Sequence, residues 1–119
     1  MTCSPTDMKR RTQQFALSVI RLVQSLPTDK VAQRLGDQLL RAATSVGANY
    51  RAACRSRSRA EFVAKLGIVE EEGDESIYWM ELLVEAGLIK EKRIANLKAE
   101  ADEILSMVIA SIKTARARK

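Results

Sequence analysis

The sequence predicts an all-α protein, an antiparallel up-down-up-down four-helix bundle. Three observations carry that expectation. Apolar residues recur at helical spacing in four successive stretches. The links between them are too short for a long crossover, so sequence neighbours must run antiparallel. The chain has 119 residues, with 5 Gly, 2 Pro and few aromatic side chains, so Leu, Ile, Val, Ala and Met must fill the core. At this length residues 1–119 form one domain around one core.

The first helix is expected over residues 7–25. Phe15, Val19, Leu22 and Leu26 lie on one face, and Ala16, Ile20 and Val23 broaden it. Pro27 ends the helix, and Thr28 or Asp29 caps the next. The second helix spans 30–55, with Val31, Leu35, Leu39, Ala42, Val46 and Ala53 at helical spacing. Gly47 falls inside that pattern, and together with Ala42, Ala43, Ala48, Ala52 and Ala53 it predicts close contact with another helix.

Arg55-Ser56-Arg57-Ser58-Arg59 reads as a basic turn, and Ser58 with Glu61 fits a capping box. A third helix follows over 58–86, with Phe62, Leu66, Val69, Ile77, Met80 and Leu83 as its core stripe and Gly87 as its left-handed stop. The fourth spans 91–115, with Ile94, Leu97, Ala101, Ile104, Leu105, Val108 and Ile112 inward, before a basic tail over 113–119.

Charge is strongly polarised along the chain. Residues 1–69 hold 12 Lys/Arg against 4 Asp/Glu, 70–87 hold 7 acids and no base, and 88–119 hold 8 bases against 4 acids. In the predicted topology the start of the first helix and the end of the second share one pole. That brings Lys9, Arg10 and Arg11 together with Arg51, Arg55, Arg57 and Arg59, a surface suited to phosphates. Tyr50 and Phe62 are the only aromatic residues nearby, so charge rather than base stacking would dominate. Tyr78 and Trp79 lie off the core stripe and suit either the bundle edge or a subunit interface.

Other chemistries find little support. The chain has no His, which removes Ser-His and Cys-His nucleophiles, and no glycine-rich phosphate loop is present. Glu71-Glu72-x-x-Glu75 matches the magnesium-binding carboxylate motif of all-α nucleotide pyrophosphohydrolases, but Glu100-x-Asp102-Glu103 departs from the second pair those enzymes need. No cofactor, metal or catalytic residue is assigned. Cys3 and Cys54 are expected as free thiols in a cytoplasmic protein, with neither a signal peptide nor a membrane span.

Three segments carry a family resemblance: Gln38 to Arg51 (QLLRAATSVGANYR), then Ser56-x-Ser58-x-x-Glu61-Phe62, then Glu72-x-Asp74-Glu75-x-x-x-Trp79-x-Glu81-Leu82-Leu83. Over about Phe15 to Ile112 the chain resembles the bacterial four-helix-bundle family named after the protein encoded in the intervening sequence of 23S ribosomal RNA genes. The resemblance implies a homopentamer. It also implies kinship with the accessory variability determinant of diversity-generating retroelements, a basic pentameric barrel that binds a reverse transcriptase and nucleic acid. The family pattern further suggests a structural charge network of Arg41 and Asn49 on the second helix with Glu71, Asp74 and Glu75 on the third. Arg41 is expected to contact one of those three acids.

The resulting expectation is a non-enzymatic, homo-oligomeric adaptor whose basic surface binds RNA, DNA or a nucleic-acid-processing protein such as a reverse transcriptase. The alternatives are a magnesium-dependent hydrolase using Glu71, Glu72 and Glu75, and a purely structural oligomer.

Overall fold

The computed structural model describes residues 6–118, and its helices are α1 (Thr6–Gln24), α2 (Lys30–Cys54), α3 (Arg59–Glu85) and α4 (Ala95–Ala117). They form an all-α four-helix bundle about 50 × 20 × 19 Å. Sequence neighbours pack side by side, and α1 closes against α4 more loosely than the other neighbouring pairs pack.

Each helix boundary has a local cause. Asp29 caps α2 by accepting the Ala32 N–H at 3.0 Å. Ser58 caps α3 by accepting the Glu61 N–H at 3.1 Å. The reciprocal carboxylate bond of the capping box reaches one residue further back than expected, to the Arg57 N–H at 3.2 Å. At the far end of α3, Gly87 adopts φ +76°, the Gly87 N–H bonds to Val84 O and the Leu88 N–H to Leu83 O. That paired closure needs a left-handed residue, which glycine adopts without steric cost. The expected start of the fourth helix at residue 91 is corrected: Glu91–Arg93 form a separate 3-10 turn, and α4 begins at Ala95. The tight turn brings Arg93 Nη2 to 2.7 Å from Ser25 Oγ, tying the α1–α2 link to the α3–α4 link.

The core follows the helical stripes. Phe15, Val19 and Leu22 are buried on α1 and Leu26 just beyond its end, Leu39 and Val46 on α2, Leu66, Val69, Met80 and Leu83 on α3, and Ile104, Val108 and Ile112 on α4. Val31 is 55% exposed, so the α2 stripe begins instead at buried Ala32. Met8 and Thr12 extend the α1 stripe toward its start; the hydroxyl of buried Thr12 donates to Met8 O at 2.9 Å. Gly47 does mark a close helix approach: a Cβ there would stand 3.4 Å from Thr12 Oγ1 and 3.5 Å from Thr12 O.

Cys54 is disulfide-bonded, which corrects the expectation of a free thiol. Cys3 lies outside the described residues. Cys54 ends α2 at the pole where α1 begins, a proximity hidden in the linear sequence. A bonded Cys54 also removes the free-thiol argument for a reducing compartment. Among the described residues no helix is long and apolar enough to cross a membrane.

Candidate nucleic-acid interface

Four helix ends meet at one pole of the bundle: α1 and α3 begin there, and α2 and α4 end there. The contact of Thr12 with Gly47 fixes the register of α1 against α2. One turn outward on each helix lie Lys9 and Arg51. Those two cations and Arg10 line a groove of about 550 Å³ together with Gln13, Gln14 and Thr44, and no acid lines it. Gly47 and Ala48 also line it. Of the predicted convergence, Lys9, Arg10 and Arg51 meet in this groove, and Arg11 does not line it.

A second groove of about 560 Å³ opens on another side of the pole. Arg57 and Arg59 line it from the start of α3, and Arg118 lines it from just beyond α4. Arg55 is exposed and lines neither groove. Lys9, Arg10, Arg51, Arg55, Arg57, Arg59 and Arg118 form no ion pair among the described residues. Tyr50 and Phe62 are buried, 5% and 7% exposed, so neither offers a face for base stacking.

Arg11 behaves differently from its neighbours. Its Nε lies 2.6 Å from Glu100 Oε2, and its Nη2 reaches Glu100 Oε1 at 2.9 Å and Glu103 Oε1 at 2.7 Å. Its Nη1 also approaches Met107 Sδ at 3.3 Å. Hydrogen bonds to the two carboxylates, Glu100 first, hold the guanidinium pKa above its ordinary value. The two-pronged contact with Glu100 spans the looser α1–α4 seam, where geometry matters more than charge count.

The acidic stretch of α3 divides three ways. Glu72 and Glu75 hold Arg41 of α2, with Arg41 Nη1 3.2 Å from Glu72 Oε1 and Arg41 Nη2 bonded to Glu75 Oε1. Hydrogen bonding to Glu72, then to Glu75, raises the Arg41 pKa. The Trp79 indole N–H donates to Glu75 Oε1 at 3.1 Å, and with Arg41 it lowers the Glu75 pKa. Glu81 pairs with Lys98 of α4 at 3.2 Å. Glu70, Glu71 and Asp74 instead line a shallow groove with Leu105 and Ile109.

The expected network is therefore met at Arg41 and Glu75 and corrected elsewhere. Glu72 takes the second place, because it lies one turn before Glu75 on the same helix face. Glu71 and Asp74 turn toward α4. Asn49 does not cross to α3, since its Nδ2 donates to Ser45 O on its own helix at 2.9 Å. Trp79 is half-buried against the core and meets Tyr78 edge-on, with centroids 5.0 Å apart, while Tyr78 is 54% exposed. Among the described residues no cluster of three or more His, Cys, Asp or Glu is arranged to hold a metal ion.

Sequence reasoning passed over Arg118, Gln13, Gln14 and Thr44. The basic tail was a usable signal for Arg118, because in an up-down bundle the last helix ends beside the start of the third. No local pattern marks Gln13, Gln14 or Thr44, which matter only through the α1–α2 register.

Comparison with known proteins bears on the same architecture. A family model described as 23S rRNA-intervening sequence protein matches residues 6–110. A crystal structure from Bacteroides thetaiotaomicron, of a protein of unknown function in the S23 ribosomal protein family, is similar at 33% identity and a TM-score of 0.83. The match covers 89% of this chain and 98% of that one. No curated protein matches the chain.

Proposed function

The chain belongs to the 23S rRNA-intervening sequence protein family, and from that premise we propose that it is a non-enzymatic, homo-oligomeric adaptor whose basic pole binds nucleic acid. The observation that carries this reading is the groove of Lys9, Arg10 and Arg51: three cations with no carboxylate partner among the described residues, lined also by neutral hydrogen-bonding groups and small residues. Such a surface contacts a phosphate backbone through charge and the amide donors of Gln13 and Gln14, and it carries little base-specific information. A reverse transcriptase or another nucleic-acid-processing protein is the proposed protein partner. Exposed Tyr78 beside Trp79 supports self-association, with a pentamer as the proposed assembly.

Filter binding of a single-stranded RNA at two salt concentrations tests the reading. Affinity is expected to fall as salt rises, and Lys9→Gln/Arg10→Gln/Arg51→Gln together should flatten the log–log salt slope by about 2. Absence of binding at low salt overturns the nucleic-acid function. Native mass measurement tests the assembly, and a monomer at all concentrations removes it. The hydrolase alternative is disfavoured by Arg41, which engages Glu72 and Glu75, two of the three carboxylates such a site would need.

A further inference from the structure

We propose that the groove between the start of α3 and the end of α4 is a binding site for a phosphomonoester, carried either by a free nucleoside 5′-monophosphate or by the 5′-phosphorylated end of a strand. The inference goes beyond the polyanion reading and does not rest on it, because the two grooves share no lining residue.

Three guanidinium-bearing residues line this groove from two separate segments, Arg57 and Arg59 on one side and Arg118 on the other, and no acid lines it. None of the three is paired with a carboxylate among the described residues. Ser111 and Thr114 line the α4 wall. The hydroxyls of Thr12, Thr44 and Ser76 fold back onto helix carbonyls, whereas those of Ser111 and Thr114 make no such bond among the described residues. The helix end itself is not the basis of the site. Ser58 Oγ and the Glu61 carboxylate already serve the α3 cap. What remains is a set of unpaired cations and hydroxyls around a concave space of about 560 Å³.

The chemistry of the anion follows from that donor set. A phosphomonoester carries close to two charges at neutral pH and three free oxygens. An internal phosphodiester offers one charge and two free oxygens. Guanidinium forks approaching from opposite rims therefore suit the end of a phosphate chain better than its interior. Phe62 and Ala115 also line the groove but are only 7% and 8% exposed, so the phosphate rather than the attached base carries the recognition.

Calorimetric titration of the full chain with adenosine 5′-monophosphate and with adenosine tests the proposal. The monophosphate should bind and adenosine should not. Arg118→Gln, and separately Arg57→Gln/Arg59→Gln, should each weaken the monophosphate by about tenfold while circular dichroism stays unchanged. RNA oligonucleotides with a 5′-phosphate or a 5′-hydroxyl separate the two sources. Preference for the phosphorylated end makes strand ends the ligand, and monophosphate binding without that preference makes it the free nucleotide. The proposal is overturned if adenosine binds as well as its monophosphate, if neither binds at millimolar concentration, or if both groove variants retain full affinity. Failure of the polyanion reading is distinguishable, because it shows as absent RNA binding through Lys9, Arg10 and Arg51 and leaves the monophosphate titration untouched.

Discussion

Arg11 and Arg51 sit at the same pole of the bundle, yet they are in opposite states. Arg11 is clasped by Glu100 and Glu103 across the α1–α4 seam. Arg51 lines an acid-free groove and pairs with no carboxylate among the described residues. The side-chain chemistry is identical, so the difference lies in what the neighbouring helix presents. α4 turns acids toward Arg11 on α1, whereas α1 presents Lys9, Arg10, Gln13 and Gln14, and no acid, to the groove that Arg51 lines from α2. A guanidinium opposite fixed carboxylates sets register, and one opposite amides and other cations stays available to an external anion.

The contrast can be broken most directly at Arg11. Arg11→Met is expected to lower unfolding free energy by about 1.5 kcal/mol, because it leaves half-buried Glu100 without its partner. Arg51→Gln should change stability by no more than about 0.5 kcal/mol while weakening RNA binding. Urea titrations of both variants decide the matter, and equal losses would erase the distinction.

A smaller effect is expected at Arg41, whose side chain is 47% exposed and therefore well screened. Arg41→Met should cost about 0.5 kcal/mol and leave RNA affinity unchanged. A salt titration of its melting temperature sharpens the assignment, since the difference from the unmodified chain should shrink at high ionic strength.

The smallest effect is in the pH profile. Glu75 titrates below its ordinary value of 4.5 in the folded chain, first through the Trp79 N–H and then through Arg41. The unfolded chain therefore takes up this proton first as pH falls. The stabilisation is fully present above about pH 4.5 and is lost as pH drops through the lower folded value. Trp79→Phe should flatten the acid limb of the stability curve by a few tenths of a kcal/mol. An unaltered acid limb would place the acid sensitivity on other carboxylates.

Much of the fold was legible because it rests on short-range rules. Pro27, the Ser58–Glu61 pair and Gly87 mark boundaries through backbone chemistry within a few residues, and the structure places helix ends beside each of them. The boundary at residues 91–95 was not legible. Glu91–Arg93 suit a first helical turn by composition, yet they form a separate 3-10 turn, from which Arg93 reaches Ser25 on the α1–α2 link. The site was legible as a pole but not as two grooves. Lys9, Arg10 and Arg51 follow from topology alone, whereas the separation of Arg57 and Arg59 from them depends on which pair of helices flanks each cation.

The sequence by itself determined four helical stripes, their antiparallel order and the segregation of positive from negative charge, because helical period and short links act over one or two turns. Tertiary structure alone decided which arginines became internal ties and which stayed open to solvent, and that Glu72 rather than Glu71 joins Glu75 on Arg41. The physical reason is register: sliding or rotating one helix by a single residue turns each side chain by about 100°, and no pattern within one helix fixes what its neighbour places opposite.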